Sequence, residues 1–158
     1  MTNAIKTKVV LHSPYVTMER NGDCIDLNFC GLDKVFTDNS TVCVDDKIMY
    51  YKKGSIFRVK LGFSMEMPEG KRANVYQRSG TRKNFGVLLT NHVGIIDNAY
   101  NGTDDQWMAE FYAIEDGQMK LGDRILQFEI VDVMPKVEFD VVESFDNENR
   151  GGYGSTGI

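Results

Sequence analysis

A short segment, Arg78-Ser79-Gly80, contains the residue types that hold a phosphate group. A glycine-containing turn exposes backbone N–H groups, and a hydroxyl and a guanidinium add further donors to phosphate oxygens. From residue 71 to residue 83 the chain has five basic residues and no acid, which suits one small polyphosphate. The alternative is a solvated charged face, because Arg-Ser-Gly alone is a common tripeptide.

The segment from Asn91 to Gly102 has an aspartate at the end of an apolar run. Asp97 follows Ile95-Ile96 and precedes a polar turn, so its carboxylate can face a pocket and deprotonate a water. The commoner role for such a residue is to cap its own loop in an Asx turn. Tyr100, three residues later, is either a core aromatic or a ring on which a base or sugar stacks.

Two further segments stand out from the strand pattern. Gly122-Asp123-Arg124-Ile125-Leu126-Gln127 is a turn that leads into a strand, and its simplest interpretation makes Asp123 and Arg124 a surface ion pair. The tail that begins at Arg150 has four glycines in residues 151–158, together with Ser155 and Thr156. Glycines allow the backbone to approach phosphates, so this tail is either disordered or ordered by something that it binds.

The elements that must position these residues are predicted to be β-strands almost throughout. Apolar and polar residues alternate along most of the chain, and no window longer than about ten residues has a helical stripe. Turn signals such as Asn101-Gly102 separate the runs, and only residues 80–84 favour a short helix. The predicted strands are Val9–Leu11, Ile56–Leu61, Phe63–Met67, Val75–Gln77, Phe85–Leu89, Trp107–Ile114, Ile125–Val131 and Val137–Val142.

Many short strands at regular spacing predict an all-β fold, a jelly-roll-like barrel or sandwich with at most one short helix. Residues 1–148 are expected to form a single β domain, and residues 149–158 a flexible glycine-rich arm. The polar stretch 33–53 has little pattern and is interpreted as an insertion or a hairpin excursion.

Composition and charge exclude several classes of protein. The 158 residues are 42% hydrophobic and 26% charged, which is ordinary for a globular chain. No apolar run approaches the roughly 18 residues of a membrane span and no signal peptide is evident, so we expect a cytoplasmic protein without membrane contact. The net charge of −5 lies in residues 132–149, which makes the chain a poor binder of nucleic acid. The three cysteines are expected to be reduced, and their spacing does not indicate a zinc site.

Taken together and in this order, the segments resemble the homotrimeric dUTPase family, enzymes that hydrolyse dUTP to dUMP and pyrophosphate. The resemblance runs from Gly22 to Gly157 and rests on R-S-G, N-x-x-G-x-I-D-x-x-Y-x-G, G-D-R-I-x-Q and R-G-G-Y-G-S-T-G. Asp26-Leu27 matches only the end of a further motif. The resemblance implies an activity that limits uracil in DNA and supplies dUMP for dTMP synthesis. It also implies a homotrimer in which each active site draws on all three chains.

The resemblance implies a role for each matching residue. Asp97 matches the aspartate that activates the water attacking the α-phosphorus, and Tyr100 the tyrosine that stacks on the deoxyribose and excludes a 2′-hydroxyl. Asp26 matches the acid that helps to hold the water shell of Mg²⁺ and the charge network of the site. The other substrate-binding residues are Asn91 and Gly94 for uracil and the α-phosphate, Arg78, Ser79, Gly80 and Gln127 for the phosphate chain, and Arg150, Tyr153, Gly154, Ser155 and Thr156 in the arm that closes over the β- and γ-phosphates.

Departures from the family pattern leave some choices open. Cys24-Ile25 and Gln77 stand where the family has Ala-Gly and proline, and the last motif is shorter. The residue that covers uracil is therefore either Tyr153 or another aromatic such as Trp107. Two alternatives to a dUTP hydrolase are a dCTP deaminase-like enzyme of the same fold and a regulatory protein that binds a partner through residues 33–53.

Overall fold

Alternating side chains form strands along most of the chain, as the sequence predicts. The computed structural model describes residues 4–154 and 157, and this part of the chain contains fourteen strands and one α-helix. The predicted all-β class with one short helix is confirmed. The elements are β1 (Lys8–Leu11), β2 (Arg20–Asn21), β3 (Cys24–Asn28), β4 (Leu32–Val35), β5 (Val42–Asp45), β6 (Ile48–Tyr51), β7 (Ile56–Lys60), β8 (Phe63–Glu66), β9 (Lys71–Gln77), α1 (Thr81–Phe85), β10 (Val87–Leu89), β11 (Gly94–Ile96), β12 (Met108–Ala113), β13 (Gly117–Lys120) and β14 (Arg124–Asp132).

The strands form four antiparallel sheets. The largest has the order β11-β9-β14-β3-β2, and a second has the order β10-β12-β7-β4. A pair, β1-β8, and a three-stranded sheet, β13-β6-β5, complete the fold. Strands that are distant in sequence, such as β14 and β3, are neighbours, which is typical of the jelly roll. Within the described part of the chain, no helix is long and apolar enough to span a membrane.

The core lies where the inner faces of the sheets meet, and aromatic rings fill much of it. Phe57 of β7, Phe111 of β12 and Phe128 of β14 are fully buried. Trp107 is 0% exposed, and its ring centroid lies 4.7 Å from that of Phe63 and 5.0 Å from that of Phe128. Rings packed in this way contribute strongly to core stability. Trp107 is therefore a core residue, and the alternative that it covers uracil is wrong.

Most of the predicted strands are present, and one difference occurs where a glycine ends an element. The predicted helix at residues 80–84 is confirmed as α1. Phe85 closes this helix rather than opening a strand, because Gly86 follows it with φ of 63° and ends the helical turn. Strand β10 therefore begins at Val87.

The predicted strand at residues 137–142 is absent. Phe139 and Val141 are 87% and 93% exposed, and the segment has no strand in the structure. Alternation predicts a strand only where a neighbouring strand is present to pair with it. Within one described chain, residues 137–142 have no such neighbour.

The segment 33–53 contributes to the core. Strands β5 and β6 form a hairpin, and β6 pairs with β13. Met49 and Tyr51 of β6 are buried, and the Tyr51 hydroxyl donates a hydrogen bond of 2.6 Å to the carbonyl oxygen of Phe85. Burial raises the pKa of Tyr51, so this hydroxyl keeps its proton. The predicted hairpin is present, and its inner side chains are part of the folded domain.

Gly62, between β7 and β8, occupies a position that cannot accept a larger residue. Its φ is 84°, and a Cβ there would lie 2.6 Å from Cys30 Sγ and 2.7 Å from Val16 Cγ2. We expect Gly62→Ala to lower the free energy of unfolding by about 3 kcal/mol, because steric overlap adds to left-handed backbone strain. Gly70→Ala is the control, since Gly70 has φ of 70° and no atom within 4 Å of its Cβ position. Thermal denaturation should show a clearly larger loss for Gly62→Ala, and equal losses would contradict the steric argument.

Candidate active site

Thr81, the first residue of α1, shapes the turn that follows β9. Thr81 is buried, and its Oγ1 accepts a hydrogen bond from the backbone N–H of Arg78 (2.8 Å) and donates one to the carbonyl oxygen of Ile125 (2.8 Å). Local hydroxyl-to-backbone bonds of this kind stabilise turns and helix starts. They join the Arg78-Ser79-Gly80 turn to β14 and leave Ser79 exposed.

A buried ion cluster lies beside this turn. The side chain of Asp26, on β3, is 1% exposed, and its Oδ1 lies 2.8 Å from Arg78 Nε. Its Oδ2 lies 3.5 Å from Arg124 Nη1, and Arg78 Nη1 donates a hydrogen bond of 3.1 Å to the carbonyl oxygen of Arg124. A buried carboxylate without paired cations is unstable, so Asp26 and the two arginines stabilise one another.

This cluster bears on two predictions. The prediction that Asp123 and Arg124 form a surface ion pair is wrong. Asp123 Oδ2 accepts a hydrogen bond from the Lys120 backbone N–H (2.8 Å), and Arg124 faces Asp26. For Asp26, the pairing is in keeping with a charge network. Its role at the water shell of Mg²⁺ stays a prediction.

Gln127 and Gln77 connect the ends of β14, β9 and β10. Gln127 pairs with Asp26 on one side and with Tyr76 on the other. Its Nε2 donates a hydrogen bond of 3.1 Å to the Gln77 carbonyl oxygen, and Gln77 Oε1 accepts one of 2.9 Å from the Leu89 backbone N–H. A proline at position 77 would lack this amide. We call Asp26, Arg78, Ser79 and Gln127 the first cluster.

A second cluster, Asn91, Gly94, Asp97 and Tyr100, is carried by the turn before β11 and the loop after it. The Val93 N–H donates a hydrogen bond of 2.6 Å to the Asn91 carbonyl oxygen, and this tight turn leaves Asn91 exposed. Gly94 pairs with Val75 of β9, and a Cβ at Gly94 would lie 3.1 Å from Val75 Cβ. Glycine therefore allows the start of β11 to lie close against β9.

Asp97 is exposed, and its carboxylate makes no hydrogen bond or ion pair with any described residue. Its backbone carbonyl oxygen accepts a hydrogen bond of 3.0 Å from the Tyr100 N–H. The turn is held by Asn98, whose Nδ2 donates to the carbonyl oxygens of Pro68 (2.8 Å) and Lys71 (2.9 Å). The alternative role of Asp97, capping of its own loop by the side chain, has no support in these contacts. Its carboxylate is accessible to a substrate or a water.

Tyr100 is partly exposed and held by its hydroxyl. That hydroxyl donates a hydrogen bond of 2.7 Å to the Gln106 carbonyl oxygen, and burial together with nearby Asp105 raises its pKa. The ring borders a groove that continues toward Asn91 and Gly94. The residues common to both parts of the groove are Ile95, Ile96 and Met108. The second cluster thus combines an apolar floor with one accessible carboxylate.

The two clusters remain separate within one chain. Gly94 pairs with Val75 on one side of β9, and Gln127 pairs with Tyr76 on the other side. No hydrogen bond or ion pair between described residues joins a side chain of one cluster to the other. A substrate that uses both clusters of the same chain must therefore span β9.

The predicted arm residues fall in two groups. Arg150, Tyr153 and Gly154 are exposed, and they make no hydrogen bond or ion pair with any other described residue. Ser155 and Thr156 lie outside the described residues. The phosphate-closing role of the arm thus stays a prediction.

The sequence does not single out Thr81 and Asn98, which position the clusters, and for Arg124 it suggests a different partner. A threonine directly after Arg-Ser-Gly is a helix-start signal, and an asparagine after a strand is a turn signal, so the first two could have been found. The partner of Arg124 could not, because its contact with Asp26 joins residues that are distant in sequence.

Comparison with known sequences finds enzymes of one activity. The chain is 49% identical over 106 residues to the SPbeta prophage-derived deoxyuridine 5′-triphosphate nucleotidohydrolase YosS of Bacillus subtilis (strain 168), which covers 67% of this chain and 75% of that protein. It is 37% identical over 116 residues to the deoxyuridine 5′-triphosphate nucleotidohydrolase of Anaplasma marginale, covering 72% and 77%. No protein-family model matches the chain.

Solved structures with the same fold include two phage dUTPases. The dUTPase of Staphylococcus bacteriophage 80alpha with dUpNHpp, described as controlling transfer of virulence genes, has a TM-score of 0.69 at 18% identity and covers 98% of this chain and 100% of its own. A dUTPase variant from phage phi11 of S. aureus, described with a structural Mg(II) ion, has a TM-score of 0.65 at 17% identity, covering 90% and 100%. These structures establish the fold. Because the sequence relatives reach 49% identity across three quarters of their own length, the chain belongs to the family of deoxyuridine 5′-triphosphate nucleotidohydrolases, the dUTPases.

Proposed function

We propose that Asp97 is the base with which this dUTPase activates the water that attacks the α-phosphorus of dUTP, releasing dUMP and pyrophosphate. The observation that carries the proposal is the exposed Asp97 carboxylate, which has no partner among the described residues and lies beside Tyr100. Water is a weak nucleophile toward a polyanionic phosphorus. A positioned carboxylate base contributes about 10²–10⁴-fold in rate.

The second cluster is suited to the nucleoside part of the substrate. Asn91 offers amide donors and acceptors at a tight turn, and Gly94 lines the same groove. The apolar groove beside Tyr100 accommodates a deoxyribose, against which the phenol ring can stack. A bound nucleoside would thus place its 5′ phosphate close to Asp97.

The first cluster is suited to the phosphate chain. Arg78 and Arg124 keep donor groups beyond those that face Asp26, and exposed Ser79 adds a hydroxyl. Such charge-assisted donors bind phosphate oxygens strongly. The amide of Gln127, held by the Gln77 carbonyl, has a second N–H for the same purpose.

Magnesium is proposed as a companion of the substrate. Among the described residues, no three His, Cys, Asp or Glu side chains lie close enough to hold a metal. Mg²⁺ keeps several waters and binds triphosphates through phosphate oxygens, so the site needs few protein ligands. Asp26 is the residue that the resemblance assigns to those waters, and the exposed Asp97 carboxylate could accept hydrogen bonds from them as well. When bound, the ion neutralises phosphate charge that would repel the nucleophile.

A homotrimer with shared sites is proposed for two reasons. The two clusters lie on opposite sides of β9. The first cluster of one chain and the second cluster of a neighbouring chain could therefore face a single substrate. In addition, residues 137–142 alternate apolar and acidic side chains without a partner strand, and Val10 and Leu11 are exposed on β1, an edge strand. A strand from a neighbouring copy laid on that edge would cover both sets of apolar side chains.

The activity is tested by measuring pyrophosphate release from dUTP, dTTP, dCTP and UTP, with and without Mg²⁺, together with the mass of the protein in solution. We expect hydrolysis of dUTP alone, dependence on Mg²⁺ and the mass of a trimer. Ammonia release from dCTP would instead support the deaminase alternative. A monomeric, fully active protein would exclude shared sites.

Discrimination against ribose is expected to depend on Tyr100. Tyr100→Ala should raise KM for dUTP and narrow the ratio of kcat/KM for dUTP over UTP by about tenfold, because the ring no longer opposes a 2′-hydroxyl. Tyr100→Phe is the matched control, since it keeps the ring and removes only the hydrogen bond to Gln106. Steady-state kinetics with both nucleotides measure the ratio. An unchanged ratio in Tyr100→Ala would make Tyr100 a packing residue only.

A protein-binding role for residues 33–53 is the second candidate function. Strand β5 is an edge strand, and Val44 and Tyr50 of the hairpin are exposed. Exposed edges and apolar side chains are common features of protein-interaction surfaces. The double variant Val44→Asp/Tyr50→Ser is a better test than deletion of residues 33–53, because deletion also removes buried Met49 and Tyr51. A partner that wild type captures and the double variant does not, with dUTP hydrolysis unchanged, would support this role. Equal capture by the two proteins would exclude it.

A further inference from the structure

We propose that His12 is a positioning residue for the loop that carries Asp97 and Tyr100, a role that rests on the function proposed for those two residues. The loop comprises residues 97–106, between β11 and β12. His12 follows β1 and is distant from the loop in sequence, and none of the motifs that resemble the dUTPase family includes it. Its imidazole nevertheless reaches the loop.

His12 joins the core to the middle of the loop. Its Nε2 lies 2.8 Å from Ser64 Oγ and 3.0 Å from the carbonyl oxygen of Thr103. Ser64 is 2% exposed, so one end of this connection is fixed in the core. The backbone of His12 is also fixed, because its N–H donates a hydrogen bond of 2.7 Å to the carbonyl oxygen of Gly62.

The contact with Thr103 determines where the proton of His12 lies. A carbonyl oxygen can only accept, so an attractive contact at 3.0 Å requires a proton on Nε2. The neutral tautomer with hydrogen on Nε2 and the imidazolium both meet this requirement. The Ser64 hydroxyl can rotate to present a lone pair to the same N–H. His12 therefore acts as a donor to the loop in either charge state.

The middle of the loop has no other hydrogen bond to the rest of the protein among the described residues. At its start, Asn98 donates to the carbonyl oxygens of Pro68 and Lys71. At its end, Gln106 Oε1 accepts a hydrogen bond of 3.2 Å from the Gly62 N–H. Residues 99–105 otherwise bond only to one another and to residues 97 and 106.

His12 thus restrains the stretch between the two ends, in which Tyr100 lies. A loop that is already ordered loses less conformational freedom when substrate binds, and this raises affinity. Without His12, the loop would have to be ordered by the substrate itself. The expected consequence is a larger KM with little change in kcat, since Asp97 lies next to the Asn98 anchor.

The test compares wild type, His12→Ala and His12→Gln. Glutamine places an amide N–H near the position of Nε2, so it should restore the bond to Thr103. For the unliganded protein, we expect hydrogen–deuterium exchange of residues 99–105 to be faster in His12→Ala and close to wild type in His12→Gln. In steady-state kinetics, we expect His12→Ala to raise KM for dUTP about three- to tenfold, the range for one net hydrogen bond, with kcat within twofold. For His12→Gln, KM should be close to that of wild type.

Each contrary outcome is informative. Unchanged exchange in His12→Ala would overturn the proposal, as would unchanged KM, or equal effects of alanine and glutamine. A lower melting temperature with normal loop exchange would assign His12 a purely structural role and would also overturn it. If wild type does not hydrolyse dUTP, the proposed function fails. The exchange measurement still tests the link between His12 and the loop in that case, because it uses no substrate.

Discussion

Asp97→Asn is expected to lower kcat for dUTP by about 10²–10⁴-fold, the contribution of a general base. The substitution keeps the shape of the side chain and removes its ability to accept a proton. Affinity for dUTP should stay within a few-fold of wild type or increase, because a negative charge near the phosphates is lost. Single-turnover kinetics separate the chemical step from binding, and a thermal melt of the same variant reports its stability.

Asn98→Ala is the matched control for this experiment. Asn98 holds the same turn through the carbonyl oxygens of Pro68 and Lys71, yet it has no acidic group. It should lower stability and raise KM, with a much smaller effect on kcat than Asp97→Asn. If Asp97→Asn has a lower melting temperature than wild type but the same kcat, Asp97 stabilises the turn and takes no part in the chemistry.

Removal of residues 150–158 is expected to abolish most turnover while leaving a folded protein that binds dUMP. Beyond residue 133, the described chain makes no backbone hydrogen bond to the sheets, and Arg150, Tyr153 and Gly154 are exposed. The described residues of this segment therefore contribute nothing to the core. If the arm supplies donors to the β- and γ-phosphates, kcat should fall by about 10²–10³-fold or more, as when preorganised donors are removed from other sites.

Single substitutions separate the contributions within the arm. Arg150→Ala should reproduce much of the loss in kcat if charge on the phosphates is the cause. Tyr153→Ala should instead raise KM if its ring covers uracil. Turnover and dUMP binding measured on all three proteins provide the comparison. A truncated protein with the kcat of wild type would refute the phosphate-closing role of the arm.

The alternation of apolar and polar residues predicts most of the fold, because most strands bury one face. Apolar and polar residues alternate from Phe57 to Leu61, and the apolar side chains of this run point into the core of the same chain. Residues 137–142 alternate equally well but have no neighbouring strand in the chain, so periodicity alone cannot distinguish them from a paired strand. The role of Met49 and Tyr51 in the core was equally inaccessible, because it depends on the distant strand β13.

The candidate site was predictable to the extent that it consists of short local motifs. Asp97 and Tyr100 lie three residues apart on one turn, and Arg78 and Ser79 share another, so spacing alone identifies each pair. The ion pairs of Asp26 and the contact between His12 and Thr103 bring together residues far apart in sequence. Only the register of the sheets specifies such contacts.

The hydrogen bond from Tyr51 to Phe85 has a thermodynamic consequence. It attaches the hairpin to the last residue of α1, whose first residue, Thr81, bonds to Arg78 in the first cluster. If a ligand displaced β6 and thereby shifted α1, it would change the proposed affinity of that cluster for phosphate by some factor. Linkage requires a bound nucleotide to change the affinity of the same ligand by an equal factor. A partner that bound the hairpin in this way would therefore distinguish nucleotide-bound from empty protein without touching the nucleotide.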